Sequence, residues 1–179
     1  HFRGFHSAWA IPFKNKTAKK GQWLEGPKDE ILKVLIDEAG GADKIIAEDL
    51  GIIPQEVVEL RRRNNLKGIR VLQFAFDDKN PDNPHKPENI EADTVVYTGT
   101  HDNDTTKGWW DKKQRRQVKS SMRENETICQ TMIRIARESK AEIAIFPLQD
   151  ILELGSESRM NTPGTTGKNW NWKFSWDDI

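Results

Sequence analysis

Short apolar runs that end abruptly in acidic residues most strongly constrain the fold of this chain. Residues 94–98 are β-branched and aromatic, a pattern typical of a buried strand, and His101 and Asp102 follow directly. Residues 44–48 show the same pattern, an apolar run that ends at an acid, here Glu48. Since α/β barrels build their active sites from polar residues at the carboxyl ends of buried strands, both runs predict functional acids.

Strand and helix patterns alternate along the chain. The predicted strands are 44–48, 69–76, 94–98 and 142–146; helices are predicted to begin at Lys28 and Pro54 and to lie within 111–139 and 148–152. Such alternation implies a parallel sheet with right-handed crossovers. Four strands are too few to close a (β/α)8 barrel and match half of one. We therefore predict one α/β domain over residues 1–179, with parallel strands in chain order and Glu48 and Asp102 at their shared carboxyl edge.

Several side chains have a plain structural interpretation. Gly40-Gly41 is expected to end the helix from Lys28. Residues 61–63, three consecutive arginines, are interpreted first as a solvated helix end, with an anion site as the alternative. Cys129 lies in the helical period and is expected in or near the core. The paired tryptophans 109–110 are interpreted as loop anchors. The tail tryptophans are interpreted as packing residues, with sugar stacking as the alternative: Trp170, Trp172 and Trp176.

Composition excludes several classes of function. Lys+Arg and Asp+Glu number 28 each, so no net charge favours nucleic acid or an anionic membrane. Cys129 is the only cysteine, which leaves no disulfide framework or cysteine zinc site. No apolar run approaches the roughly 20 residues of a membrane span, no signal peptide is visible, and a cytoplasm-like compartment is the default. The chain starts at His1 and its hydrophobic fraction is 35%, which together predict a fragment of a larger protein.

Two strand-end acids suggest paired-carboxylate chemistry such as glycoside cleavage, and longer motifs sharpen that interpretation. The motifs are HFRGF at residues 1–5, IIAEDLG at 45–51, VLQFAF at 71–76, VYTGTHDNDT at 96–105, FPLQD at 146–150 and GSESRMNTPG at 155–164. In this order they resemble the C-terminal part of the 4-α-glucanotransferases, also called amylomaltases or disproportionating enzymes (glycoside hydrolase family 77). The resemblance covers nearly the whole chain.

The resemblance implies a fold and a reaction. The family fold is a (β/α)8 barrel, of which this chain would supply the last four strands. Members transfer part of an α-1,4-glucan to the 4-hydroxyl of another sugar through a covalent glycosyl-enzyme. The polar cluster of this chain supplies acids suited to proton transfer and charge stabilisation, not a closed ligand set, so we expect no metal or cofactor. Glu48 matches the acid/base and Asp102 the transition-state stabiliser. The nucleophile would be an Asp immediately before His1, so a fragment that starts at His1 is expected to be inactive alone.

The resemblance also implies sugar-binding residues. His101 matches a donor to sugar hydroxyls, and His1 flanks the reacting subsite. Phe74 and Asp78 match acceptor-side contacts. Lesser sugar contacts are expected at Asp49, Leu50 and Asn161. The sequence after Asn83-Pro84 departs from the family pattern, which concerns loop contacts to sugar and not the catalytic acids.

Physical chemistry agrees with the two catalytic assignments. Glu48 follows apolar residues whose desolvating effect favours its protonated form, as an acid catalyst requires. Asp102 should stay ionised to oppose the positive charge that develops on the sugar ring. A metal site at His101-Asp102 is the rival interpretation, but adjacent side chains on an extended chain splay apart and no second histidine has ligand spacing.

Three functions remain open on the sequence. The first is a part of a glucanotransferase, with maltooligosaccharides or other α-1,4-glucans as partners and neither nucleic acid nor membrane. The second is an α-glucan hydrolase with water as acceptor, and the third is a non-catalytic glucan-binding or scaffold fragment. The exposed edges of a half-barrel also predict self-association. The expected location is the cytoplasm, or the plastid if the source is a plant.

Overall fold

The computed structural model describes residues 1–77, 79–112 and 116–176. The chain divides into two compact units, one from His1 to Ile69 and the other from Arg70 onward. Each unit has its own cluster of buried apolar residues. Within the described ranges, no helix combines the length and the apolar character needed to cross a membrane.

The first unit begins with a helical turn and an antiparallel hairpin. Helix α1 (Arg3–His6) leads directly into strand β1 (Ser7–Ala10), which pairs with β2 (Gln22–Glu25). The hairpin was not predicted from the sequence. All four residues of β2 are exposed, so the apolar alternation that identifies a half-buried strand is absent from the sequence.

Two helices of the first unit follow the sequence prediction. Helix α2 (Lys28–Ala39) ends at Gly40, whose φ of 78° is left-handed and suits glycine. Helix α3 (Gln55–Arg63) begins after Pro54. Their inward residues join Phe2 and the residues next to Glu48 in a buried cluster, which consists of Phe2, Leu32, Ala47, Val57, Leu60 and Leu66. The core of this unit therefore lies directly beneath the segment that carries Glu48.

The predicted strand 44–48 is wrong in its extent. Lys44 belongs to a 3₁₀ turn (Ala42–Lys44), and only Ile46 makes a parallel bridge, to Lys67. The Ala47 N–H donates to the Lys67 carbonyl at 2.8 Å. The Glu48 carbonyl instead accepts from Phe2 N at 2.7 Å. The segment therefore forms only one bridge, because its backbone bonds to Lys67 at Ala47 and already to Phe2 at Glu48.

The chain continues with a three-stranded sheet whose strands follow chain order. Its strands are β3 (Gly68–Val71), β4 (Thr94–Tyr97) and β5 (Ile143–Ile145). Strands β4 and β5 are parallel, with Val95 opposite Ile143. This arrangement confirms an α/β fold with a parallel sheet. The predicted strands 94–98 and 142–146 are correct to within one residue at each end.

The predicted strand 69–76 is wrong beyond Val71, where the chain turns into helix α4 (Leu72–Ala75). Leu72 and Ala75 remain buried in this helical turn. Gln73 fixes the turn, because its backbone N–H donates to Thr98 O at 3.3 Å and its side-chain amide to Asp104 O at 2.9 Å. A continuous apolar run has the same sequence signature in a buried strand and in a buried helical turn.

Between β4 and β5, the residues that the structure describes form three helices. They are α5 (Thr106–Lys112), α6 (Arg116–Ser121) and α7 (Ile128–Glu138), and a short α8 (Leu148–Ile151) follows β5. Thr127 and Gln130 form a capping box at the start of α7. The apolar face of α7 is buried and consists of Ile128, Met132, Ile135 and Ala136. Trp109 in α5 is buried as well. Cys129 is also buried, and burial raises the pKa of its thiol to about 12.

Candidate active site

Glu48 stands at the end of the bridge-forming segment and is oriented from two sides. Its Oε1 accepts a hydrogen bond from Leu50 N at 2.9 Å, and its Oε2 lies 2.6 Å from His1 Nδ1. The carboxylate side chain keeps 39% of its surface exposed and the imidazole keeps 51%. Glu48 is therefore held by its neighbours while one side remains open to a ligand.

Asp49 points into the protein and pairs with Arg61. The carboxylate is 3.3 Å from Arg61 Nε and accepts from Ile69 N at 2.8 Å. Arg61 also donates to Leu66 O at 2.6 Å. The absence of a side chain at Gly68 makes room for the pair, since a Cβ there would lie 2.5 Å from Asp49 Oδ2. The carboxylate of Asp49 is engaged within the fold, and its predicted sugar contact stays a prediction.

The arginine triplet at the end of α3 is not uniformly solvated, which corrects the sequence interpretation. The Arg61 side chain is 0% exposed, because its position four residues after Val57 places it on the buried face of the helix. Arg63 agrees with the prediction, since it is exposed and binds Asp29 at 2.6 Å. The Arg63 guanidinium, with Asn64, holds the pKa of Asp29 at about 2.

Asp102 and His101 lie in the loop after β4 and are held by the segment 159–161. Asn161 Nδ2 donates to Asp102 Oδ1 at 2.6 Å, and the Asn161 N–H donates to His101 O at 3.1 Å. Arg159 donates to the Asp102 carbonyl at 2.6 Å. His101 Nε2 lies 3.4 Å from Asp102 Oδ1, and about half of each side chain is exposed. The structure therefore brings together three of the predicted site residues: His101, Asp102 and Asn161.

A buried carboxylate beneath this loop was missed by the sequence analysis. Asp150 in α8 is 1% exposed and accepts from Thr98 Oγ1 at 2.5 Å and from Thr106 N and Oγ1 at 2.7 Å each. Burial raises the pKa of Asp150, against the opposing effect of these hydrogen bonds. Asp104 is a second anchor, which binds Lys112 and accepts from Ser156 Oγ at 2.8 Å. Both acids support the loop and leave Asp102 as the open carboxylate.

Phe74 is half-buried in α4 and packs edge-on against His85, with ring centroids 5.4 Å apart. Its carbonyl accepts from Asn83 Nδ2 at 3.0 Å, and His85 Nδ1 accepts from Val71 N at 3.1 Å. The part of the loop that departs from the family pattern thus supports the predicted acceptor-side contact. Asp78, the other predicted acceptor-side contact, lies outside the described residues.

Trp170 in the tail is not a core residue and contacts His101. Trp170 is 59% exposed, and its ring lies 5.0 Å from that of His101. This corrects the interpretation of Trp170 as a packing residue. The described residues contain no group of three or more His, Cys, Asp or Glu side chains arranged to hold a metal ion. The predicted independence from metals and cofactors stays a prediction.

In the first unit an open carboxylate, Glu48, follows a parallel bridge beside an imidazole, and in the second unit Asp102 follows strand β4 beside an imidazole and an amide. Carboxylates of this kind in an α/β protein suit acid–base chemistry on polar substrates. Comparison with known proteins gives the family. The sequence profile of the 4-alpha-glucanotransferases matches residues 1–177. The chain belongs to the 4-alpha-glucanotransferase family.

Relatives support this assignment across kingdoms. A chloroplastic/amyloplastic 4-alpha-glucanotransferase of Arabidopsis thaliana is 47% identical over 179 residues, which cover 97% of this chain and 31% of the relative. A Synechocystis 4-alpha-glucanotransferase is 45% identical over 185 residues, which cover 100% of this chain and 36% of the relative. The chain thus spans about a third of the length of the curated relatives that it matches.

A solved structure has a similar fold. The amylomaltase of Streptococcus agalactiae, determined in complex with acarbose, superposes with a TM-score of 0.88 at 31% sequence identity. The superposition covers 99% of this chain and 37% of that one.

Proposed function

We propose that this chain forms part of the catalytic domain of a 4-α-glucanotransferase that transfers α-1,4-glucan segments to the 4-hydroxyl of an acceptor sugar. The observation that carries the proposal is the pair of held but open carboxylates, Glu48 and Asp102, each within a family motif. Family membership and the names of the relatives support the reaction class. The acarbose complex of the Streptococcus agalactiae amylomaltase supports maltooligosaccharides as ligands.

Glu48 is proposed as the general acid and base of a retaining double displacement. Its carboxyl group would give a proton to the glycosidic oxygen as the bond to the leaving sugar breaks, and would later take a proton from the acceptor hydroxyl. His1 and the Leu50 N–H hold the two oxygens of this carboxyl group. The group is therefore pre-oriented, which general acid–base catalysis requires.

Asp102 is proposed as the charge stabiliser. Its Oδ1 is bonded by Asn161, and half of its side chain is open. An oriented carboxylate beside the sugar ring opposes the positive charge of an oxocarbenium-like transition state. His101 would donate to a sugar hydroxyl. The resemblance assigns the nucleophile to the position before His1, so the roles proposed for residues 1–179 concern the other two acids.

We further propose that residues 1–179 belong to one domain and contribute four strands to a (β/α)8 barrel. The support is the three-stranded parallel sheet in chain order, together with the parallel bridge between Ile46 and Lys67. In such barrels the site lies at the carboxyl ends of the strands, which is where Glu48 and Asp102 stand in the sequence. We place the protein in the cytoplasm, or in the plastid if the source is a plant, as for the chloroplastic/amyloplastic relatives.

The test is product analysis with the natural polypeptide that contains these residues. Incubation with maltotriose should give glucose together with maltotetraose and longer oligosaccharides, separated by anion-exchange chromatography. Products that are only shorter than maltotriose would identify a hydrolase. Binding of maltotriose without turnover would identify a non-catalytic glucan-binding protein.

A further inference from the structure

The contact between Trp170 and His101 is not part of a hydrophobic core. The two ring centroids are 5.0 Å apart and the planes are inclined by 37°. Trp170 keeps 59% of its surface exposed, and the His101 side chain keeps 56%. An indole that stays mostly in water gains little from burial. Its placement against an imidazole therefore calls for an explanation other than packing.

The backbone of Trp170 adopts an unfavourable conformation to make this contact. Its φ is 62°, in the left-handed region that bulky residues rarely occupy. Such conformations persist only where surrounding interactions fix them, and they concentrate at functional sites. Here the Trp170 N–H donates to Met160 O at 2.7 Å, and Asn169 Oδ1 accepts from Thr162 N at 3.0 Å. These bonds close residues 160–170 into a loop that presents the indole at its base.

The same segment holds the residues on both sides of the contact. Arg159 bridges Asn161 O at 2.7 Å and Asp102 O at 2.6 Å, and Asn161 holds the Asp102 carboxylate. The backbone of His101 is fixed through Asn161 N. The His101 ring contacts both the Asp102 carboxylate and the Trp170 indole. The segment 159–170 thus fixes the backbone, the carboxylate and the imidazole of the pair together.

We infer that Trp170 is a positioning residue that holds the His101 imidazole in the orientation required to donate to a sugar hydroxyl. This inference rests on the proposed function. An exposed histidine has several rotamers of similar energy, and the indole restricts them. Since misplacement of a substrate-orienting group by about 1 Å can cost about 100-fold in rate, loss of the indole should reduce transfer without unfolding the protein.

The chain offers a matched control in the same tail. Trp176 is 82% exposed and packs against Phe174 rather than against a site residue. Trp176→Ala removes an exposed indole of the same size and should leave transfer unchanged. Trp170→Phe keeps an aromatic ring beside His101 and should retain activity to within about threefold, whereas Trp170→Ala should lose about 10–100-fold in kcat/KM with maltotriose.

A double-mutant cycle separates positioning from a merely structural role. If the indole acts through the imidazole, Trp170→Ala should cost little more once His101 is already changed to Ala, so the two losses should be strongly non-additive. Additive losses would overturn the inference. The cycle is measured in the natural polypeptide. Far-UV circular dichroism checks that each variant is folded. If Trp170→Ala does not fold, Trp170→Leu takes its place.

Nuclear magnetic resonance tests the contact independently of catalysis. The His101 ring protons, assigned by comparison with His101→Gln, should shift in Trp170→Ala because the ring current of the indole is lost, and should stay unchanged in Trp176→Ala. Acarbose affinity, measured by calorimetry, should fall about tenfold in Trp170→Ala alone. Unchanged resonances or unchanged affinity would refute the role of Trp170. Absence of transfer in the unmodified protein would refute the proposed function instead. The His101 resonances and the acarbose affinity would still show whether Trp170 positions His101.

Discussion

Replacement of Arg61 by methionine should destabilise the protein more than any change in the neighbouring exposed arginines. The Asp49–Arg61 pair is almost completely enclosed, with 3% and 0% of the side chains exposed. Methionine fills a similar volume without a charge, so Asp49 would face an apolar side chain where it now faces a guanidinium. Removal of one partner of a buried ion pair typically costs about 3–5 kcal/mol, because the remaining charge stays desolvated.

The assay is urea unfolding of the natural polypeptide, followed by circular dichroism. With a slope of about 2 kcal/mol per molar urea, a loss of about 4 kcal/mol lowers the midpoint by roughly 2 M. Activity at low temperature should fall as well, since Asp49 directly follows Glu48 and is bonded to Ile69 N. A shift in the midpoint with an unchanged slope would show that the effect is on stability.

Arg63→Met is the matched control, because Arg63 lies in the same helical turn but pairs with Asp29 at the surface. Exposed ion pairs contribute little, so this midpoint should hardly move. The double variant Arg61→Met/Asp49→Asn removes the buried charge and should recover part of the loss. Equal midpoints for Arg61→Met and Arg63→Met would refute the reasoning.

Three further predictions follow from the site and the core. Glu48→Gln should lower transfer by at least about 10²–10⁴-fold, and a donor with an activated leaving group should restore its first step but not that of Asp102→Asn; equal rescue of both would contradict the assigned roles. Hydrogen bonding to Arg134 lowers the pKa of Glu126 to about 2, so the stability from this pair is present above pH 4.5 and lost as the pH falls towards 2. Melting temperatures of Glu126→Gln should therefore fall less steeply than those of the unmodified protein between pH 5 and 2, and parallel curves would count against the pair. Cys129 should react with a thiol reagent only in denaturant, because its thiol is buried and its pKa is about 12; rapid reaction of the native protein would contradict that placement.

Local sequence signals predicted the ends of helices correctly where a single residue type restricts the backbone conformation. Gly40 ends α2 and Pro54 precedes α3 as predicted, because left-handed φ and the missing proline N–H restrict the chain at those positions. The β-branched run at β4 was likewise recognised, since both faces of that strand are buried. The family motifs predicted Glu48, His101 and Asp102 as site residues, and their roles stay predictions.

Long-range pairing accounts for what the sequence did not reveal. The side chain of Arg61 is buried because Asp49, twelve residues earlier, faces it across the unit, and no local pattern in an arginine triplet records that. Asp150 anchors a loop more than forty residues away through Thr98 and Thr106. Trp170 reaches His101 through a closed loop with left-handed backbone at a bulky residue. Each of these arrangements depends on tertiary contacts that helical or strand periodicity does not encode.

The bonds made by Asp150 limit how the loop that carries Asp102 can evolve. One carboxylate accepts from Thr98, the residue after β4, and from Thr106, the first residue of α5. A single side chain, that of Asp150, therefore holds both ends of the loop 99–105. An insertion or deletion within it would pull one threonine away and leave a buried acceptor unsatisfied. The two threonine bonds of Asp150 thus tie the length of this loop to the fold.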